Sequence, residues 1–249
     1  MVTAVPIDSD SPHHCAQRIN ATIAEVFSSL QSLAGEVGQV WKAREADGRQ
    51  PSSQDMKQLQ PAIDRLALRT ESCVGAGFIL QPGLLADSQL YMEWRRRIGE
   101  RKLQSLSPNV NPRSANCFHY EDKPWFSVPR ESGQPAAIGP YVDVYCTGMY
   151  ILTFSQPILL DGRFIGIAGA DLPMHHIERL FTRSLMHLPQ EALLLSPEGR
   201  VVASNTADWA VGDLAYSLLK DSACKVVPLD DSANAWSLLC LPVSRRLAA

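Results

Sequence analysis

The chain has 249 residues, enough for one large domain or two small ones, with 45% hydrophobic and 20% charged residues. A formal net charge of −3 argues against a nucleic-acid partner, which would favour a concentrated basic face. No apolar run approaches the roughly 20 residues of a membrane helix, and "MVTAVPIDSDSPHHC" lacks the basic-then-apolar order of a secretory leader, so neither a membrane partner nor export is expected.

Residues 1–12 are polar and include Pro6 and Pro12; they read as a disordered tail. From His13 to Arg44 no proline occurs, and Ile19, Ile23, Val26, Phe27, Leu30, Leu33, Val37, Val40 and Trp41 recur at steps of three and four. That spacing predicts one long amphipathic helix, which could serve as a homodimer seam or simply cover a core. "ADGRQPSS" interrupts it, and a second helix is expected over 53–70 with Met56, Leu59, Ile63 and Leu66 inward.

After residue 71 the period shortens. "CVGAGFILQPG" reads as a glycine-bearing strand, and "QLYMEWRRR" as a strand with Leu90, Met92 and Trp94 on one face. Residues 99–139, rich in Pro, Ser, Asn and Gly, read as a long structured connection of the kind that is usually functional. "PYVDVYC", "MYILTFSQPILL" and "RFIGIAGADL" follow as three strands linked by Thr147-Gly148 and Asp161-Gly162, both tight-turn signals. A helix is expected over 174–186, then a hairpin around Glu198-Gly199 and two late strands in "CKVVPLD" and "NAWSLLCLPV". The whole predicts an α/β chain of the α+β kind. Its expected divisions are helices at 13–71, a larger antiparallel lobe at 72–187 and a smaller one at 188–249.

If both turns have two residues, Asp143 faces Leu152 and Leu152 faces Asp171, so the two acids share a sheet face about 10 Å apart. Tyr141, Phe154 and Gly169 form the neighbouring row, and the glycine leaves space above the sheet. Two carboxylates among aromatics are costly to bury without a cation. The cation could be internal, from Lys123, Arg95 or Arg130, or it could be a ligand ammonium with Trp125 or Tyr141 adding a cation–π contact. A one-residue bulge would break the row.

The ordered set WFxxPR, GPYVD, TxxxPI, DGRFIG and GAD, between Tyr120 and Asp171, resembles the Cache (PDC-type) sensor domains, in particular the double Cache family, over residues 14–242. The resemblance implies a long first helix followed by two PAS-like antiparallel lobes, the second smaller, and a ligand held in the first lobe without catalysis or cofactor. It implies that Asp143 and Asp171 hold an ammonium, with Tyr141 beside them and Trp125 and Tyr120 as aromatic walls. Family members that bind amino acids carry an Arg where this chain has Lys123. Lysine offers a point charge but no planar fork, so amines and quaternary ammonium compounds gain on amino acids, with Lys123, Arg130 or Arg95 left to meet a carboxylate. Most members are extracellular and flanked by membrane helices. This chain is expected to be a free-standing cytoplasmic sensor lobe that signals through a regulatory partner or its own dimer.

Three other readings compete. A thiol enzyme would need Cys146 paired with His119, His175 or His176, and no motif fixes such a pair. His13, His14 and Cys15 fall short of a zinc site, which needs three or four converging ligands. Six scattered cysteines without a CxxC pair read as reduced thiols. The last alternative is a ligand-free interaction module whose pocket is sealed by an internal Lys123–Asp pair.

Overall fold

The computed structural model describes residues 11–69, 73–106, 108–109, 114, 118–144, 147–229 and 236–242. Most of the expected tail, Cys117 and Cys146 therefore lie outside the described residues. The chain opens on α1 (Pro12–Ala46), whose buried stripe Ile19, Ile23, Phe27, Leu30, Leu33, Val37 and Trp41 keeps the helical period. The region expected as one second helix is two, α2 (Ser53–Lys57) and α3 (Gln60–Arg69). Pro61 is the reason. It has no N–H to give, and its ring would press on the Lys57 carbonyl if the helix ran through. It sits instead in the first turn of α3, where an N–H would be unpaired anyway. Ser52 starts α2 with a capping box: its hydroxyl accepts from Asp55 N–H, and the Asp55 carboxylate accepts from Ser52 N–H at 2.9 Å. Met56, Leu59 and Ile63 are buried as expected, but Leu66 is half-exposed and Ala62 and Ala67 fill the core face.

Then come β1 (Gly75–Leu80), β2 (Tyr91–Arg97), β3 (Leu103–Leu106), α4 (Pro124–Ser132), β4 (Ala136–Val142), β5 (Tyr150–Leu160) and β6 (Arg163–Pro173). They form a six-stranded antiparallel sheet in the order β3-β2-β1-β6-β5-β4. The expected connection over 99–139 thus contains a strand and a helix. Pro124 and Pro129 mask the helix in the sequence, yet Pro124 is a favourable first helical residue and Gly133, at φ 66°, closes the end. The chain continues with α5 (Met174–Leu185), β7 (Ala192–Leu195), β8 (Val201–Ser204), β9 (Lys225–Pro228) and β10 (Ser237–Cys240), whose strands make a four-stranded antiparallel sheet, β8-β7-β10-β9.

The two sheets belong to two compact units, one Glu25–Pro173 and the other Met1–Ala24 with Met174–Ala249. The divisions fall inside α1 and at the start of α5, whereas the change of period and the expected elements put boundaries at 71 and 187. Local contacts explain this. Early α1 is tied to α5, where Arg18 Nη2 donates to the Ser184 carbonyl at 3.0 Å. Later α1 packs on the large sheet, with Phe27 edge-on to Phe154 at 5.5 Å. In the smaller unit Leu193, Leu195, Val201, Ala215 and Leu239 form the core, and Phe181 meets Trp236 edge-on.

Register decides which side of the large sheet each acid faces. Asp161 (φ 51°) and Gly162 (φ 82°) make the expected tight turn, with Leu160 opposite Arg163. Past Leu159–Phe164, however, Ile158 pairs with Gly166, so Ile165 is one residue extra on β6. Asp171 consequently faces Thr153, and Leu152 faces Leu172 on the opposite side of the sheet. The other turn differs too. Asp143 N–H donates to the Met149 carbonyl and Gly148 N–H to the Asp143 carbonyl, so the loop runs from Asp143 to Met149 and Val142 pairs with Tyr150. The predicted row Asp143–Leu152–Asp171 is not formed.

Candidate functional site

On the sheet side away from Phe154 and α1 lies a cavity of about 340 Å³, within the size of small-ligand sites. Its floor is Thr153 and Asp171, with Ile79, Met92 and Trp94 from β1 and β2. Phe118, Lys123, Pro124 and Trp125 contribute one wall, and Ile138, Gly139 and Tyr141 to Val144 another. Gly139, at φ 128° in the bulge of β4, admits no side chain there; a Cβ would lie 2.9 Å from the Ile151 carbonyl oxygen.

Asp171 is 5% exposed. Thr153 Oγ1 donates to its Oδ1 at 2.7 Å, and the Tyr141 hydroxyl lies 2.6 Å from Thr153 Oγ1. Since Thr153 gives its one proton to Asp171, Tyr141 donates to Thr153, and the relay of hydroxyls ends on the carboxylate. Burial pushes the Asp171 carboxyl up to about 7, the Thr153 hydrogen bond pulls it back, and the charge of Asp143 adds to the rise. Asp143, 8% exposed, holds the 143–149 loop: its Oδ2 accepts from Thr147 N–H at 2.8 Å and Thr147 Oγ1 at 3.0 Å. Trp125 stacks on Phe118 at 6.3 Å and meets Phe126 edge-on.

The structure brings Lys123, Trp125, Tyr141, Asp143 and Asp171 to one cavity. Tyr120 and Arg130 are not among its lining residues. Tyr120 is fully buried; its hydroxyl donates to the Leu80 carbonyl at 2.8 Å, accepts from Tyr91 N–H, and so ties the end of the β1–β2 pair. A buried hydroxyl must be paired, and these backbone groups occupy it. Tyr120→Phe is accordingly expected to cost about 1–2 kcal/mol of stability, by leaving both groups unpaired, while changing affinity for any cavity ligand less than twofold. Urea unfolding beside calorimetric titration checks both halves. Arg130 fails for a helical reason. At 3.6 residues per turn it sits about 140° round α4 from Trp125, where it lies over the Phe126 ring and beside Glu131. Arg95 is also no partner for the acids: one residue along β2 from Trp94, it faces the other way and pairs with Asp64 at 2.8 Å.

Trp94, Thr153 and Phe118 were not legible as site residues. A lone Thr in the apolar run "YILTF" was the available signal. Among the described residues no group of three His, Cys, Asp or Glu converges to hold a metal ion, and no helix is long and apolar enough to cross a membrane.

The family "Methyl-accepting chemotaxis protein-like, first PDC sensor domain" matches residues 60–179, the stretch that builds the cavity. That stretch is similar to the PDC-type Cache sensor domains. In sequence the chain is also similar to the methyl-accepting chemotaxis protein TlpQ of Pseudomonas aeruginosa, 33% identical over 100 residues, which are 39% of this chain and 14% of that receptor. In structure the chain is similar to the ligand-binding domain of the Pseudomonas aeruginosa PAO1 amino acid chemoreceptor PctB, in complex with L-arginine. The TM-score is 0.59 at 12% identity, covering 95% of this chain and 94% of that one. It is also similar to the ligand-binding domain of the Pseudomonas fluorescens chemoreceptor CtaA in complex with L-valine, with TM-score 0.57, 14% identity, and 92% and 93% covered. The two-lobed α+β fold of the whole chain is that of these sensor domains.

Proposed function

We propose that this chain is a signal-transduction sensor that reversibly binds a small ligand carrying a protonated nitrogen and performs no chemistry on it. The ligand would be an amine, a quaternary ammonium compound or an amino acid. The observation that carries this reading is Asp171: a carboxyl buried on a cavity floor, one oxygen held by Thr153 and the other without a hydrogen-bond partner among the described residues, with Asp143 beside it. A buried carboxylate pair is tolerated when a cation completes it. Trp125 and Tyr141 suit the faces of such a cation, and Lys123 supplies a positive charge for a ligand carboxylate. Two sensor domains of this fold in complex with amino acids support the direction.

The second reading, a ligand-free interaction module, is favoured by Lys123 lining the same cavity and by Thr147 already occupying Asp143. A thermal-shift panel at pH 8 separates the two, using propylammonium, tetramethylammonium and amino acids. A ligand that binds only the folded state stabilises it by about 2.7 kcal/mol at a hundred times its Kd. A rise with at least one cationic compound is expected. No rise with any of them would leave the interaction module. We further place the protein in the reducing cytoplasm, on the free thiols of Cys15, Cys73, Cys224 and Cys240, and assign its output to a regulatory partner or to a homodimer through α1. Fractionation and light scattering test these assignments.

A further inference from the structure

Trp94 does more than line the cavity. Its indole lies flat against the sheet because three positions beneath it lack side chains: a Cβ on Gly75 would lie 2.7 Å from Trp94 Nε1, one on Gly77 2.9 Å from Cε3, and one on Gly169 3.0 Å from Cη2. The ring is buried, and its N–H has no hydrogen-bond partner among the described residues. Buried indole N–H groups are ordinarily paired, so an orphan calls for an explanation. The same imagined Cβ on Gly75 lies 3.1 Å from Asp171 Oδ2. An unused donor and an unused carboxylate oxygen thus flank one empty point, kept open by the glycine.

We propose that Trp94 is a positioning residue for Asp171: when the carboxyl is ionised, as it must be to hold a cation, the indole N–H closes onto Oδ2 and fixes the carboxylate between itself and Thr153. The proposal rests on the ligand reading above for its cation. The other groups around Asp171 have different engagements. Thr153 serves Oδ1, with Tyr141 behind it; Asp143 approaches as a like charge from the end of β4; Lys123 reaches the cavity from the start of α4. The Cys73 thiol, just before β1, is pushed up to about 12 by burial and by Asp171, and donates to the Gly75 carbonyl. Arg97 is bonded to the carbonyls of Cys73 and Ala67. The indole is left as the neutral donor whose bond strengthens as negative charge appears on Oδ2.

Trp94→Phe keeps a ring on the glycine seat and removes the N–H. In the ligand-free protein, the Asp171 carboxyl carbon followed by NMR should titrate at least half a pH unit higher than in the wild type. Affinity for propylammonium at pH 8 should fall about tenfold. Gly75→Ala keeps the indole but wedges a methyl between Nε1 and Oδ2, and should raise the midpoint likewise. Packing alone would lower the melting temperature of either variant and leave the titration midpoint where it was; that result overturns the proposal. If the wild type binds no ammonium compound, the proposed function fails, and the titration of the empty protein still decides the role of Trp94.

Discussion

Asp171→Asn is expected to weaken propylammonium binding at pH 8 by a hundredfold or more, while the empty variant melts above the empty wild type at the same pH. The first half follows from removing the charge that neutralises the ligand, since a cation left unpaired in a buried site loses the larger part of its binding energy. The second half follows from linkage. Asp171 titrates near 7 in the folded protein, raised from an ordinary value near 3.8, so between these values the folded state holds a proton that the unfolded chain has released. The wild type's stability from this group is therefore complete below about pH 4, declines as pH rises, and is lost above 7. At about 1.4 kcal/mol per pH unit the charged carboxylate costs on the order of a few kcal/mol at pH 8, and Asn is spared it. The gap between variant and wild type should grow from near zero at pH 4 to its maximum above 7. Ligand affinity of the wild type should climb over the same upper range, with a proton released on binding below pH 7 and seen as buffer-dependent calorimetric heats. A variant that binds propylammonium as the wild type does would remove Asp171 from the site.

The largest loss of stability is expected at Gly77. A Cβ there would lie 2.1 Å from the Glu93 carbonyl oxygen and 2.8 Å from the Trp94 Cα. These are backbone atoms of β2, paired with β1 in the sheet interior, and they cannot swing aside as a side-chain end would. Gly77→Ala should therefore cost about 3 kcal/mol or more, the upper end of what overpacking does, and yield mostly insoluble protein. Gly35→Ala is the control. Gly35 is exposed on α1 with nothing within 4 Å of its added Cβ, so the same chemical change should gain about 0.5–1 kcal/mol from helix propensity. Denaturant midpoints of the two variants with opposite signs are the expected result; similar midpoints would mean that β2 shifts to admit the methyl.

These contrasts mark what could be read from the chain alone. Period and turn chemistry carried α1, the Asp161-Gly162 turn and the antiparallel strands, because each depends on neighbours a few residues away. The cavity acids were first paired by strand arithmetic, which fails at Ile165, and a family resemblance then assigned them the same role. A bulge has no composition of its own: "RFIGIAG" reads the same with or without an extra residue, and Gly166 is the lone hint. Tyr120 and Arg130 were misplaced for the opposite reason. Both lie among site residues in sequence, but one hydroxyl is taken by the backbone and the other side chain is carried round a helix that two prolines had hidden. Trp94 needed three glycines on two other strands to make sense, and only the register brings them beneath it.

The extra Ile165 has a consequence for how such a pocket can be gained or lost in evolution. Side chains on a strand alternate faces, so counting one residue more or fewer between the turn and Asp171 exchanges the two faces wholesale. Without the bulge, Leu172 would look into the cavity and Asp171 toward α1, with every ligand-facing residue still present in the sequence. Among chains of this fold, then, identity at the acid positions is an incomplete test of a shared ligand. The spacing from the Asp161-Gly162 turn must match as well, and an alignment gap at Ile165 would separate receptors that otherwise look alike.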